Sequence, residues 1–421
     1  MRRRANVVGV VGVVLVSLVA AACGSDGTSS TTASVSTTVG TPSPTTASPD
    51  VSPELLKPVP WPGKAPNLTP VDAATAAAWR AQAKTALKAQ EGLNGLWVAI
   101  SDPHKGYWAA AIGNAVKDPA TAATIDDHAR IGSAGKTFTA TAILEQVAAQ
   151  KLTLDDTVAT VIPDTAAQFP ATAQVTVRQL LSMSSGLPDY VNPPGTVATD
   201  VIKNPGKVWT PEELIANALQ HPVSPPGTPG YCNTNYQLLG LMLEKITGKP
   251  VDQVVTDVAH QAGLVNTALP PPDQIALPPP PSHGYVDAAF LQDPAVAGTG
   301  LTPGTDVTDW TMSWAGAAGG MYSTVQDLFT WAATGMGTAL LPPNLAADRL
   351  NTNVPALPGK GYGLGIQQIA VPGWIGHGGQ SFGWTSFSVY NPQTGATITG
   401  LANSPTGVAA VATLWQNILL S

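Results

Sequence analysis

The chain has 421 residues, 44% hydrophobic and 11% charged, with a formal net charge of −7. That length is enough to bury one large core or two ordinary ones. Lys and Arg form no run beyond Arg4, so the basic footprint of a nucleic-acid-binding surface is missing and nucleic acid is excluded as a partner.

Arg2, Arg3 and Arg4 precede an apolar run from Val7 to Ala22, followed by Cys23. A charged start, an apolar middle and small residues before a cleavage point predict a secretory signal. The run is short for a membrane span. Ala20-Ala21-Ala22-Cys23 resembles a bacterial lipobox, whose cysteine is lipidated and becomes the new N-terminus, although Ala20 stands where leucine is usual. Residues 1–23 are therefore expected to be a lipoprotein signal. A lipid on Cys23 would hold the protein to the membrane on its extracytoplasmic face. The alternative is an ordinary signal peptide cut near Cys23. The second cysteine, Cys232, then has no partner, and the exported fold must rely on core burial. Residues 24–70 are rich in Ser, Thr, Pro and Gly, cannot bury a core, and read as a disordered tether.

The folded part is expected from about residue 71 to 421. Asp72 to Gln90 is Ala-rich and predicts a helix. Leu96–Ser101 and Tyr107–Ile112 predict two strands around the turn Asp102-Pro103-His104-Lys105-Gly106. Ser133 to Gln150 predicts a helix with Phe138, Ile143, Leu144 and Val147 on its apolar side. Thr210-Pro211-Glu212-Glu213 is a capping box with proline at the first helical position. Asn235 to Thr247 predicts a helix stopped by Gly248 and Pro250. Pro270 to Pro281 holds too much proline for regular structure. Ser323-Thr324-Val325-Gln326 reads as a second capping box, opening a helix through Trp331. Trp384–Tyr390 and Ala396–Leu401 alternate like paired strands, and Val408 to Leu420 closes the chain as a helix. Strand signals thus sit at both ends and helical ones between them. The expected fold class is α/β (α+β), an antiparallel sheet built from both chain ends and flanked by helices, with a helical subdomain inserted at about residues 133–310.

Ile131-Gly132-Ser133-Ala134-Gly135-Lys136-Thr137 admits two chemical readings. Gly135-Lys136-Thr137 matches the end of a phosphate-binding loop, but the first glycine of that motif falls on Arg130, which excludes a nucleotide site. Ser133 and Lys136, three apart, share one helical face, and an unprotonated lysine can take a proton from a serine hydroxyl. Taken alone, Ser133 is a helix cap and Lys136 a solvated lysine. Two later clusters change that weighing: Tyr231-Cys232-Asn233 just before a helix, and His377-Gly378-Gly379 just before a strand pattern.

In this order the three motifs resemble the serine β-lactamase and penicillin-binding-protein superfamily. The branch they resemble holds class C β-lactamases, D-alanyl-D-alanine carboxypeptidases and related esterases. Leu180 to Pro188, Gly319 to Ser323 and Gly361 to Gly365 carry the same likeness. The resemblance implies a β-lactamase/transpeptidase-like fold and a serine hydrolase. It makes Ser133 the acylated nucleophile, Lys136 its base or proton relay, and Tyr231 a proton shuttle to the leaving group. It places Asn233 against Lys136 and the substrate amide. His377 would bind a substrate carboxylate or support Tyr231, with Gly379 beside it. The backbone N–H groups of Ser133 and Gln380 would form the oxyanion hole. Cys232 reads as a small buried filler. His104, His221, His260 and His283 are too scattered for a metal site, and no cofactor is implied.

Gly135 and Gly378 depart from the family pattern, where hydroxyl-bearing residues are common. A glycine in a first helical turn costs about 1 kcal/mol relative to alanine, and a missing hydroxyl at Gly378 removes a polar contact to a carboxylate. The expected substrate is a D-Ala-D-Ala-type peptidoglycan peptide, as for a D,D-carboxypeptidase, or a small ester or amide. A weak β-lactamase and a non-catalytic cell-wall-binding lipoprotein are the alternatives. The N-terminal reading has its own test: Cys23→Ala should abolish incorporation of a labelled fatty acid and release the protein from the membrane fraction.

Overall fold

The computed structural model describes residues 61–192, 197–357, 359–369 and 371–421. The expected signal segment, Cys23 and the tether up to residue 60 lie outside the described residues.

The strands, in chain order, are β1 (Gly95–Asp102), β2 (Gly106–Val116), β3 (Thr121–Ala122), β4 (Ala129–Arg130), β5 (Tyr322–Ser323), β6 (Val354–Leu357), β7 (Lys360–Tyr362), β8 (Gln367–Gln368), β9 (Ile375–Gln380), β10 (Thr385–Tyr390) and β11 (Thr397–Ala402). Nine of them form one antiparallel sheet in the order β3-β2-β1-β11-β10-β9-β8-β7-β6, while β4 and β5 pair separately. The two chain ends meet where β1 pairs with β11, Leu96 opposite Ala402.

The alternation of each central strand feeds two cores. Leu96, Val98 and Ile100 of β1, with Phe387 and Val389 of β10, face one core. Trp97 and Ala99 of β1 face the other. The first core is closed by α1 (Ala73–Lys88) and the C-terminal helix Val408–Leu419. Asp72 caps α1, its carboxylate accepting from Thr75 N–H at 2.9 Å. In this core Trp415 meets Trp374 edge-on at 5.2 Å and Phe387 at 5.5 Å.

The opposite face of the sheet carries the helices between β4 and β6. These include α2 (Lys136–Ala148), α3 (Thr234–Thr247), α4 (Val251–Gln261) and α5 (Val325–Ala333). Phe138 of α2 stacks on Trp331 of α5 with ring centroids 3.9 Å apart, and the Trp331 indole N–H donates to Thr137 at 2.8 Å. The helix at Pro211–Ala218 opens with the expected capping box, both hydrogen bonds present. Gly248 ends α3 in the left-handed region, also as expected.

Four expectations need correction. The tether does not reach residue 70. Tyr107 N–H donates to Thr69 O at 2.7 Å, Lys64 N–H to Pro392 O at 2.8 Å, and the Tyr390 hydroxyl to Lys64 O at 2.8 Å. A Pro-rich segment builds no structure of its own, but its carbonyls pair readily with a finished sheet edge and turn. The single helix expected from Ser133 begins instead as a tight 3-10 turn, Gly132–Gly135, and becomes α-helical at Lys136. The cap of α5 is Thr324, not Ser323, and its partner at the third helical position is Asp327. Ser323 is drawn into β5, where its hydroxyl pairs with Thr267 at 2.7 Å. Finally, β6 to β9 carry no strong strand pattern, yet they extend the sheet by four strands. Such short segments have little strand preference of their own; β9 gains it by pairing with β10, β8 with β9, β7 with β8 and β6 with β7.

Trp415→Ala empties the centre of the outer core and should cost about 3–5 kcal/mol. Denaturant unfolding checks it, as a lower midpoint with an unchanged slope.

Candidate active site

The nucleophile turn is clamped between sheet and helices. Gly132 adopts φ +52°, and a Cβ there would meet the Gln380 backbone N and O, both at 2.6 Å. Gly379 lies equally close, since its Cβ would fall 1.9 Å from Ile131 O. Only glycine fits at either position. The Ser386 hydroxyl of β10 donates to Ile131 O at 2.7 Å, tying the sheet to the residue that enters the turn. The end of β9 therefore lies directly against the nucleophile turn, with the Gln380 backbone beside Gly132.

Ser133 is partly exposed, and Lys136 is fully buried beneath it. Lys136 Nζ lies 3.1 Å from Ser133 Oγ. It also donates to Asn233 Oδ1 at 2.6 Å and to Ala318 O at 2.7 Å. Both of these partners only accept. A neutral amine has two N–H bonds and one lone pair, so the two acceptors take both N–H bonds and the lone pair is left facing the serine hydroxyl. Burial pushes the Lys136 pKa down to about 7, against the opposing pull of Asp189. A substantial share of the amine is thus unprotonated near neutrality.

Asp189 is the group that sequence reasoning missed. Its carboxylate accepts from Asn233 N–H at 2.9 Å and Asn233 Nδ2 at 2.8 Å. It also accepts from Val191 N–H at 2.7 Å and Asn192 Nδ2 at 3.1 Å. Holding Nδ2 of Asn233 fixes which end of that amide turns toward Lys136. Desolvation pushes the Asp189 pKa above the ordinary carboxylate value, partly offset by these donors. Asp189 directly follows the Leu180–Pro188 stretch, so its position was readable, but its task was not.

The same stretch scaffolds the tyrosine loop. Met183 O accepts from Gly230 N–H at 2.9 Å, Ser184 O from Gly227 N–H at 2.8 Å, and Met183 Sδ from Cys232 N–H at 3.3 Å. The Tyr231 hydroxyl so placed is near Ser133, which favours its ionised form, but burial dominates and raises its pKa well above the usual phenol value. It is a protonated acid in the resting site. Lys136 Nζ sits 5.1 Å from the Tyr231 ring centroid. Cys232 is buried, and burial pushes its thiol pKa up to about 12, which fits the filler reading.

His377 is fully buried in β9. Its Nδ1 lies 2.5 Å from Gly378 O, which only accepts, so Nδ1 carries the proton. Its Nε2 then accepts from the Tyr362 hydroxyl at 2.9 Å. Desolvation pushes its pKa down to about 3, so the ring is neutral. Neither nitrogen is left for a substrate carboxylate, which removes one of the two roles expected of it. The ring lies 6.3 Å from that of Tyr231, against which it packs. Tyr362 is a second residue missed by sequence reasoning, although it lies inside the Gly361–Gly365 stretch.

Gly135 is explained by packing. A Cβ there would come within 3.3 Å of Met321 Cγ. Arg130, which removed the phosphate-loop reading, is buried in β4 and donates to Ile275 O. Among the described residues no group of His, Cys, Asp and Glu is arranged to hold a metal. Ser133, Tyr231, Asn233, His377, Gly379 and Gln380 line one cavity of about 350 Å³, and Lys136 is buried behind Ser133 and Asn233.

A sequence profile of the beta-lactamase family matches residues 79–421. Penicillin-binding protein 4 of Amycolatopsis lactamdurans is 31% identical over 144 residues, 32% of this chain and 34% of that protein. The match thus spans about a third of that curated relative. Among solved structures, a D-stereospecific amidohydrolase from Streptomyces sp. superposes with a TM-score of 0.69 at 28% identity, covering 81% of this chain and 99% of that one. The D-amino acid amidase of Ochrobactrum anthropi SV3 gives 0.69 at 27% identity, covering 80% and 98%. A penicillin-binding protein from Bacillus halodurans, at 23% identity and a TM-score of 0.65, shares the fold.

If Lys136 is the base, its neutral fraction governs the attack. The rate of Ser133 modification by a fluorophosphonate should rise with pH through about 7 and level off above it. Asp189→Asn removes the charge that favours the ammonium form, so the midpoint should fall. A profile of the variant that stays in place or moves upward would contradict this coupling.

Proposed function

The chain belongs to the beta-lactamase family, and on that premise we propose that it is a serine hydrolase that forms an acyl-enzyme at Ser133 with small amides, peptides or esters. The observation that carries the reading is the buried Lys136 amine, its two N–H bonds held by Asn233 and Ala318 and its third direction facing Ser133 Oγ.

The steps follow from these positions. Lys136 accepts the hydroxyl proton as Ser133 Oγ bonds to the substrate carbonyl carbon. The oxyanion that forms faces the Ser133 and Gln380 N–H groups. As the scissile bond breaks, the Tyr231 hydroxyl gives its proton to the leaving nitrogen or oxygen, and the phenolate regains a proton from the Lys136 ammonium. Water then attacks the ester by the reverse route, releasing the acid and free Ser133. Asn233 and Asp189 act through Lys136, and His377 and Tyr362 act through Tyr231.

Amide substrates are favoured by the likeness to two solved amide hydrolases, each above 25% identity over most of the chain. The D-Ala-D-Ala peptide of the cell wall and small esters belong to the same reaction class. We also propose that the domain works outside the cytoplasmic membrane, held there by lipid on Cys23; the N-terminal sequence supports this.

Mass spectrometry after incubation with a fluorophosphonate or a labelled penicillin should find one adduct, on Ser133. Ser133→Ala should lose about 10³-fold or more in hydrolysis of a chromogenic ester. Equal rates for wild type and variant would favour a binding protein without turnover.

A further inference from the structure

The reach of the reaction depends on what the cavity accepts beside the scissile bond. From its lining we infer that the site selects acyl donors that are uncharged there, a carboxamide, ester or blocked peptide, and disfavours those with a free carboxylate. The inference rests on the proposed Ser133 chemistry and names its substrate class.

Among the described residues no charged side chain lines the cavity. Two of its hydroxyls offer little to an anion either. Ser386 donates its proton to Ile131 O, and Thr385 donates its own to Ser404 O. The two ring nitrogens of His377 are engaged by Gly378 and Tyr362. Gly378 supplies no hydroxyl where one would reach a carboxylate. Lys360 and Arg349 are buried nearby but do not line the cavity. Behind the wall, Asp189 holds the Asn192 amide that faces the cavity, and Lys136 is screened from it by Ser133 and Asn233.

Gln367, which lines the cavity from β8 opposite Gly376, keeps its Oε1 sealed from solvent and brings only a neutral amide to the wall. Burying a carboxylate where no cation faces it adds a desolvation penalty.

The test compares acetyl-D-alanyl-D-alanine with acetyl-D-alanyl-D-alaninamide, which differ only in that group, alongside a nitrophenyl ester as a control of the acyl chemistry. Wild type should favour the amide-capped peptide at least tenfold in kcat/KM. A carboxylate substrate turned over equally well or better, with the ester still hydrolysed in a Ser133-dependent manner, would overturn the inference and leave the proposed function standing. Absence of Ser133-dependent turnover of all three would overturn the proposed function and this inference with it.

Discussion

The site depends on one buried amine. Lys136 has no exposed surface, and the two groups it must satisfy, Asn233 Oδ1 and Ala318 O, lie 97 and 182 residues along the chain from it. Burial lowers its pKa and the two acceptors fix the direction of its remaining valence. Neither effect alone makes a base. A lowered pKa without orientation leaves the lone pair undirected, and orientation without burial leaves the amine protonated near pH 7. The cost of placing an ammonium-forming group here is contained because Asp189 lies one hydrogen-bonded residue away, through Asn233.

The sheet makes this arrangement possible by where it brings the chain ends. Pairing β1 with β11 places β10 and β9 next in the sheet, against the turn that carries Ser133. The approach is close enough to demand glycine at positions 132 and 379. Backbone N–H groups delivered this way need no side chain to orient them, so an oxyanion site can be rigid at a turn that is itself tight. The same closeness pushes His377 inward, where it serves Tyr362 and the Tyr231 wall instead of facing a ligand.

Much of this was legible in the sequence, for identifiable reasons. The capping boxes and long apolar patterns announced the helices at 73–88, 211–218 and 234–247. The hairpins at each end declared themselves by alternation around Gly-containing turns. Ser133, Lys136, Tyr231 and Asn233 were recognisable because each pair sits within one short motif. What escaped was set by contacts far apart in the chain. The short strands β6 to β9 become strands only through pairing, β9 against β10 and each of the others against the strand beside it. Asp189 and Tyr362 are ordinary residues until Asn233 and His377 arrive beside them. Residues 61–70 looked like tether because their order is borrowed from the sheet and the Asn391 turn.

The sequence by itself determined the chemistry that is available: a serine with a lysine one turn away, a tyrosine and an asparagine on one loop, and the order of elements that folds both chain ends into one sheet. The tertiary structure alone decided how those groups are tuned. It set which lysine proton directions are occupied, which histidine nitrogen carries the hydrogen, and that no charged side chain lines the cavity among the described residues. Spacing along a chain reports which groups can meet locally. The pKa of an amine, the tautomer of a ring and the polarity of a cavity depend on burial and on partners scores to hundreds of residues away, which local spacing does not encode.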